Sequence, residues 1–150
     1  MAESAFKGFG KVDYRKLNGR QQEVYNFHQI AALLAKYGYA TYTIRDDWNG
    51  GDMFARHMLT GEPMTIQIKS RLTFERKYLG KALWIAFPEA DTQAAYLYPH
   101  DAVLNEYLDL RRTRNLPLED SAAWEQDGLV HWGRPTKELL EVLQPYRIEP

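Results

Sequence analysis

Three polar side chains are spaced in a way that suits chemistry on a phosphate. Asp52 begins the segment DMFARHML, and Gln67 and Lys69 alternate along the next segment, MTIQIKSR. If the two segments are paired strands, Gln67 and Lys69 share one face, and Asp52 can lie within about 5 Å of them. The carboxylate, the amide oxygen and the backbone carbonyl of Ile68 are hard ligands suited to Mg²⁺ or Mn²⁺. The lysine can orient a water and offset phosphate charge, so together these parts suit phosphodiester hydrolysis. Taken singly, Gln67 and Lys69 could instead form the solvated face of a strand, and Asp52 could be a turn carboxylate after Gly50 and Gly51.

Glu23 is a further candidate for the same site. It lies on the inward stripe of a predicted helix, one turn before Phe27 and two before Ile30. A buried carboxylate is costly without a partner, and a metal ion or Lys69 would supply one. The alternative is a first-turn acid that the helix dipole favours.

The elements that would position these residues follow from the hydrophobic periodicity. A lead-in over 1–18 precedes a helix that ends at Gly38, a residue suited to the left-handed position after a helix. Strands are predicted at 39–45, 52–59, 64–71, 82–88 and 94–99, and the fourth of these is apolar enough to be buried on both faces. A second helix over 100–112, an irregular region over 113–134 and a short last helix capped by Thr136 complete the chain.

This order of elements predicts one domain over 19–150. The fold class is α/β or α+β, with a mixed central sheet flanked by helices. The predicted core covers about 19–108, and 109–150 forms a C-terminal extension.

The order and the residue types resemble the PD-(D/E)xK nuclease superfamily. Helix-borne Glu23, strand-initial Asp52 and the tripeptide Gln67-Ile68-Lys69 carry the resemblance, which covers about residues 19–108. The segments DDWNGGD, QIKSRLTFERKYLGK and WIAFPEADTQAAYLYPHD resemble a bacterial branch related to intron homing endonucleases and junction resolvases.

The resemblance implies a restriction-endonuclease-like fold and magnesium- or manganese-dependent cleavage of DNA. Asp52, Gln67 and the backbone of Ile68 would hold the metal, Lys69 would assist the water, and Glu23 would support the site. Cutting both strands of a duplex takes two such sites, so a homodimer is expected.

Two residues depart from the superfamily pattern. Gly51 stands where proline is usual before Asp52, and Gln67 stands where an acidic residue is usual. Because glutamine lowers the charge of the metal site, a non-catalytic nucleic-acid-binding member of the fold is an alternative. A third hypothesis is a protein-interaction domain whose exposed Trp and Tyr residues form the partner surface.

Basic residues follow the candidate strand. They would either contact DNA phosphates, which positions a duplex without reading its sequence, or form a solvated loop. They are Arg71, Arg76, Lys77 and Lys81. Two acids in the preceding loop, Asp46 and Asp47, are either turn residues or substitute metal ligands.

Composition limits the kinds of site and the classes of protein that remain possible. The 150 residues include no cysteine, which excludes disulfides and cysteine-ligated zinc. The net charge of −1 means that a DNA-binding surface would have to be a local patch. No apolar run approaches the roughly 20 residues of a membrane helix, and the N-terminus lacks a signal-peptide pattern, so a soluble, cytoplasmic protein is expected.

Overall fold

The computed structural model describes residues 10–45, 50–115, 124 and 126–150. The helices are α1 (Gly19–Lys36), α2 (His100–Thr113) and α3 (Lys137–Leu143). The strands are β1 (Tyr39–Thr43), β2 (Met53–His57), β3 (Pro63–Ile68), β4 (Leu72–Glu75), β5 (Leu83–Pro88), β6 (Ala95–Pro99), β7 (Leu129–Trp132) and β8 (Arg147–Ile148). Short 3-10 helices cover Tyr14–Lys16, Arg76–Tyr78 and Gln144–Tyr146.

The strands form a six-stranded mixed sheet in the order β1-β2-β3-β5-β6-β8. Only β3 and β5 are paired in parallel; the other neighbours are antiparallel. β4 and β7 make a separate two-stranded antiparallel sheet. The predicted fold class, a mixed sheet flanked by helices, is confirmed.

The first helix is fixed at both ends by local chemistry. Oδ1 of Asn18 accepts a hydrogen bond from the N–H of Gln21, and the Gln21 side chain accepts one from the N–H of Asn18. This reciprocal capping satisfies two donors that a helix start leaves open. At the other end, Gly38 adopts a φ of +86°, which a residue with a side chain rarely adopts. The predicted stop at Gly38 is therefore confirmed.

The sheet has a hydrophobic core on each face. Ile85 and Phe87 of β5 join the core that also contains α2, α3, β4 and β7, whereas Ala86 joins the core under α1. β5 is thus buried on both faces, as its continuous apolar run predicts. In β3, Ile66 and Ile68 face the α1 core, which leaves Gln67 on the opposite face.

The sequence-based prediction missed three short strands, of which the first is β4 (Leu72–Glu75), in a region with no predicted strand. Residues 113–134 were expected to be irregular, but Leu129–Trp132 forms β7 and pairs with β4. Arg147–Ile148 forms β8 against β6. Each of these strands is no longer than four residues and pairs with a partner remote in sequence, so no local alternation marks it.

In the part of the chain that the structure describes, no helix has both the length and the apolar character to cross a bilayer.

Candidate active site

Asp52 is held where β2 approaches β3. Its backbone N–H donates to the carbonyl of Ile66 (2.8 Å), and its carbonyl accepts from the N–H of Ile44 (3.0 Å). Oδ2 of its side chain accepts from the N–H of Ile68 (3.0 Å) and from Nε2 of Gln67 (2.7 Å). Asp52 and Gln67 therefore meet, as the predicted strand pairing requires.

Gly51 makes this close approach of strands possible. A Cβ atom at position 51 would collide with Cγ2 of Thr65 and would lie 3.2 Å from Cδ1 of Ile44. A side chain here would therefore require the side chain of Thr65, or the backbone beside it, to move. This steric limit gives a local reason for glycine, instead of proline, before Asp52.

The amide of Gln67 lies between two oxygen atoms. Its Nε2 donates to Oδ2 of Asp52 at 2.7 Å and lies 3.4 Å from the carbonyl oxygen of Ile68. These are the two oxygens expected to bind a metal ion. The amide nitrogen thus provides hydrogen bonds where a cation would provide charge.

Lys69 lies just beyond the end of β3. Its backbone N–H still donates to the carbonyl of Ala86 (2.8 Å), which fixes its register beside β5. Its Nζ lies 3.4 Å from Oε2 of Glu75 and 5.4 Å from the ring centre of Tyr78. The side chain is half-buried, so the ammonium is held by a carboxylate and an aromatic face.

Glu75 is a component of the site that the sequence analysis missed. Its carboxylate also pairs with Nζ of Lys77 (3.1 Å), and its side chain is only 15% exposed. Burial raises the pKa of Glu75, but the hydrogen bond from Lys77 and the charge of Lys69 outweigh burial and hold the pKa below its ordinary value. Glu75 is therefore a carboxylate that fixes two lysines.

A buried histidine fixes the backbone of Glu75. Nε2 of His100 accepts a hydrogen bond from the N–H of Glu75 (3.0 Å), so the proton of the imidazole lies on Nδ1. Nδ1 in turn faces Oδ1 of Asp101 at 2.8 Å. His100 is fully buried, and α2 begins at this residue as predicted. The signal in the sequence was the acid that ends the otherwise apolar strand LTFE, since such an acid needs partners.

The predicted inward position of Glu23 is wrong. Its side chain is 71% exposed and pairs with Arg20 at 3.4 Å. Glu23 lies on the same side of α1 as Asn26 and Ile30, but the first turns of α1 lie over a cavity, not over the hydrophobic core. The predicted pairing of Glu23 with Lys69 is not observed, because Lys69 pairs with Glu75.

That cavity, here called the main cavity, has a volume of about 850 Å³ and lies between the first turns of α1 and the ends of β1 and β3. It brings together every residue predicted for the metal and catalytic roles: Glu23, Asp52, Gln67, Ile68 and Lys69. Within the described ranges, no group of three or more His, Cys, Asp or Glu side chains is close enough to hold a metal ion. Among the described residues, the oxygen donors beside the Asp52 carboxylate are the Gln67 amide and the Ile68 carbonyl.

The predicted DNA-contacting residues are dispersed. Arg71 lines a second cavity beside the main one. Arg76 donates to the carbonyl of Trp124 and lies over its ring, and Lys77 pairs with Glu75. Lys81 is exposed, and of the four only Arg71 lines either cavity as far as the structure describes them. The two loop acids, Asp46 and Asp47, lie outside the described residues.

Comparison with protein-family models, with curated proteins and with solved structures finds no match for this chain. The geometry of the main cavity is thus what supports a function.

Proposed function

We propose that this protein hydrolyses phosphodiester bonds of DNA in the main cavity, with a divalent metal ion as cofactor. The observation that carries the proposal is the convergence of Asp52, Gln67, Ile68 and Lys69 with Glu23 on one cavity. These residues come from three separate elements, and three of them contact one another directly.

The donor set of the main cavity fits one hard cation. Asp52 offers a carboxylate, Ile68 a backbone carbonyl, and Gln67 an amide oxygen once its amide has turned over. All three are ligand types that Mg²⁺ and Mn²⁺ accept. When bound, such an ion would neutralise phosphate charge and polarise a water molecule.

The chain's own residues supply positioning and charge. Lys69 donates hydrogen bonds to a phosphate oxygen and offsets the charge that develops there. Glu75 keeps the Lys69 ammonium in place. In the reaction a water oxygen would form a bond to phosphorus and give up a proton, the P–O bond to the leaving oxygen would break, and the leaving oxygen would take up a proton, so that one water is consumed. Glu23 borders the same cavity from α1 and pairs with Arg20.

Cleavage assays with matched variants test this proposal. Wild-type protein is incubated with plasmid and branched DNA in Mg²⁺, in Mn²⁺ and in EDTA. We expect metal-dependent nicking, and a fall of about 100-fold or more for Asp52→Asn and for Lys69→Ala. Lys36→Ala, which removes an exposed lysine at the far end of α1, should cut like the wild type.

Thermal unfolding of each variant separates loss of chemistry from loss of fold. Cleavage that survives Asp52→Asn would contradict the proposal, because the protein would then not use this site. A homodimer, which duplex cleavage would need, stays a prediction that light scattering can check.

One observation favours a second function, DNA binding without cleavage. The Gln67 amide already satisfies Asp52 at 2.7 Å, so this site is stable without an ion. In that case the wild type would retain DNA in a salt-dependent manner and would cut it with neither metal.

A further inference from the structure

A second cavity, here called the side cavity, adjoins the main cavity. Its volume is about 690 Å³, and it lies between α1, the 3-10 helix Tyr14–Lys16, the ends of β5 and β6, and the segment after β7. Tyr14, Asn26 and Ser70 line both cavities. The two cavities therefore adjoin at these residues, and the pair, with the candidate active site in the main cavity, is here called the groove.

The shared wall between the cavities is a fixed structure. Tyr14 donates from its hydroxyl to Oδ1 of Asn26 (3.0 Å), and Asn26 is almost fully buried. Gln22 donates to the carbonyl of Tyr14 (3.1 Å). These contacts hold the 3-10 helix against α1, so the shared wall of the two cavities is preformed.

The side cavity offers positive charge to a ligand. Arg71 and Arg134 line it and are exposed, and neither makes an ion pair with a carboxylate in the described part of the chain. The acids of this cavity have arginine neighbours: Asp13 pairs with Arg15 at 2.9 Å. Glu89 pairs with Arg147 at 2.8 Å. The negative charge of Asp91 is one of the interactions that favour the charged form of Arg15 and raise its pKa, after those with Asp13. Arg71 and Arg134 thus remain available for an anion.

Aromatic faces line the same cavity. Tyr25 is 49% exposed and lies 5.5 Å from the ring of Tyr14, at an angle of 57°. An exposed tyrosine beside arginines is the combination that binds an unpaired base together with its phosphates. A cavity of this volume lies in the range of small-ligand sites, so it accommodates a segment of about two nucleotides.

We propose that the side cavity binds unpaired nucleotides of a DNA strand next to the phosphate that lies in the main cavity. This inference rests on the proposed function, because it names the strand structure that the same groove accepts. The substrate class is DNA with a single-stranded segment: a free strand, an overhang or a branch. Arg71 and Arg134 bind its phosphates, and Tyr25 stacks on a base.

Fluorescence anisotropy in EDTA tests the inference without any cleavage. The probes are labelled oligonucleotides: a single strand, a blunt duplex, and a duplex with an overhang. We expect the single strand and the overhang to bind at least tenfold more tightly than the blunt duplex. The double variant Arg71→Ala/Arg134→Ala should lose about tenfold or more in affinity for the single strand, and its salt slope should fall by about 1.4.

Two sets of controls match these changes. Arg56→Ala/Arg112→Ala removes the same charge from two exposed residues that line neither cavity, and it should change affinity less than twofold. Tyr25→Ala should weaken single-strand binding about fivefold or more, whereas Tyr25→Phe should retain it, because stacking needs the ring and not the hydroxyl.

The outcomes are distinguishable from those of the cleavage assay. Equal binding of blunt duplex and single strand, or no effect of Arg71→Ala/Arg134→Ala, overturns this inference even if Asp52-dependent cleavage is observed. Strand binding that depends on Arg71 and Arg134, without cleavage in any metal, supports this inference and rejects the proposed hydrolysis.

Discussion

Gln67 gives the Asp52 carboxylate an uncharged partner in the main cavity. Its amide is neutral and donates a hydrogen bond to Asp52, so the two side chains attract each other without an ion. An acidic residue at this position would place two carboxylates in contact, and their repulsion would favour either a proton or a cation between them. Glutamine therefore leaves Asp52 with a hydrogen-bond partner and with less negative charge beside it than an acidic residue would.

Gln67→Glu tests this balance. We expect the variant to be about 1–2 kcal/mol less stable than wild type in EDTA, because a hydrogen bond is replaced by repulsion between like charges. We also expect it to bind Mg²⁺ or Mn²⁺ about tenfold more tightly, since ligand charge sets affinity. Urea unfolding with and without the ion, and calorimetric titration, measure both effects.

Gln67→Met is the matched control, because it keeps the length of the side chain and adds no charge. It should lose the hydrogen bond to Asp52 without gaining any ion affinity. Gln67→Glu with wild-type stability in EDTA and no response to either ion would show that Gln67 does not tune a cation site.

Part of the site could be predicted at the level of single residues. Asp52 and Gln67 were predicted to meet because strand pairing and alternation dictate which side chains share a face. Glu75 was missed as the partner of Lys69 although it lies only six residues further along the chain, because β4 belongs to a second sheet whose place was not predicted. Sequence periodicity reports neighbours along one element, and it does not report a contact made between two elements.

At the scale of elements, the contact between β2 and β3 depends on one missing side chain. The start of β2 lies so close to Thr65 of β3 that position 51 has no room for a Cβ atom. The same contact sets the position of Asp52, whose backbone bonds to Ile66. Stability and site geometry are therefore linked at this point of the sheet.

Gly51→Ala should lower the free energy of unfolding by about 1–3 kcal/mol, because the added methyl group overpacks the strand interface. Thr65→Ser removes the methyl group that it would strike, so Gly51→Ala/Thr65→Ser should recover most of the loss. Chemical denaturation of the single and double variants measures this coupling.

Gly19→Ala is the control, since a Cβ atom there meets nothing within 4 Å. It should be neutral or slightly stabilising, because alanine favours a helix over glycine. A destabilisation by Gly51→Ala that Thr65→Ser fails to relieve would show that the steric account is wrong.

The long elements were predictable and the short ones were not. α1 has a capping pair, a period of 3.6 and a terminal glycine, and these three signals agree. β4, β7 and β8 have two to four residues each, too few to show a period. β4 and β7 cover the core that also contains α2 and α3. All three strands form because their backbone N–H and C=O groups find hydrogen-bond partners, which only the folded chain supplies.

At the scale of the whole molecule, an ion pair reinforces the attachment of β8 to the central sheet, where β8 pairs with β6. Arg147 of β8 binds Glu89 through two hydrogen bonds, from Nε to Oε2 (2.8 Å) and from an Nη to Oε1 (2.9 Å). The hydrogen bonds from Arg147 lower the pKa of Glu89 to about 2. This pair connects the C-terminal strand to the segment that follows β5.

Glu89→Gln should therefore destabilise the protein in a pH-dependent way. A depressed carboxyl pKa stabilises the fold above the unfolded value and loses its effect as the pH falls through the folded value. We expect the free energy of unfolding of the wild type to exceed that of Glu89→Gln by about 1–2 kcal/mol at pH 7. This advantage should disappear as the pH falls from the ordinary value of 4.5 towards about 2.

Urea unfolding at several pH values measures this difference. Asp109→Asn is the matched control: its ion pair with Arg112 (3.1 Å) is exposed, so the variant should differ little from wild type at any pH. A deficit of Glu89→Gln that stays constant from pH 7 to pH 2.5 would show that the charge of Glu89 is not its cause.

Lys69, Ser70 and Arg71 are consecutive, and they pass from the main cavity into the side cavity. The two backbone positions are thus joined by covalent bonds and lie at most about 7 Å apart between their Cα atoms. Breathing of the sheet or rotation of a helix cannot carry these two positions further apart than this limit. Only an inserted or deleted residue would change the length of backbone between these two positions.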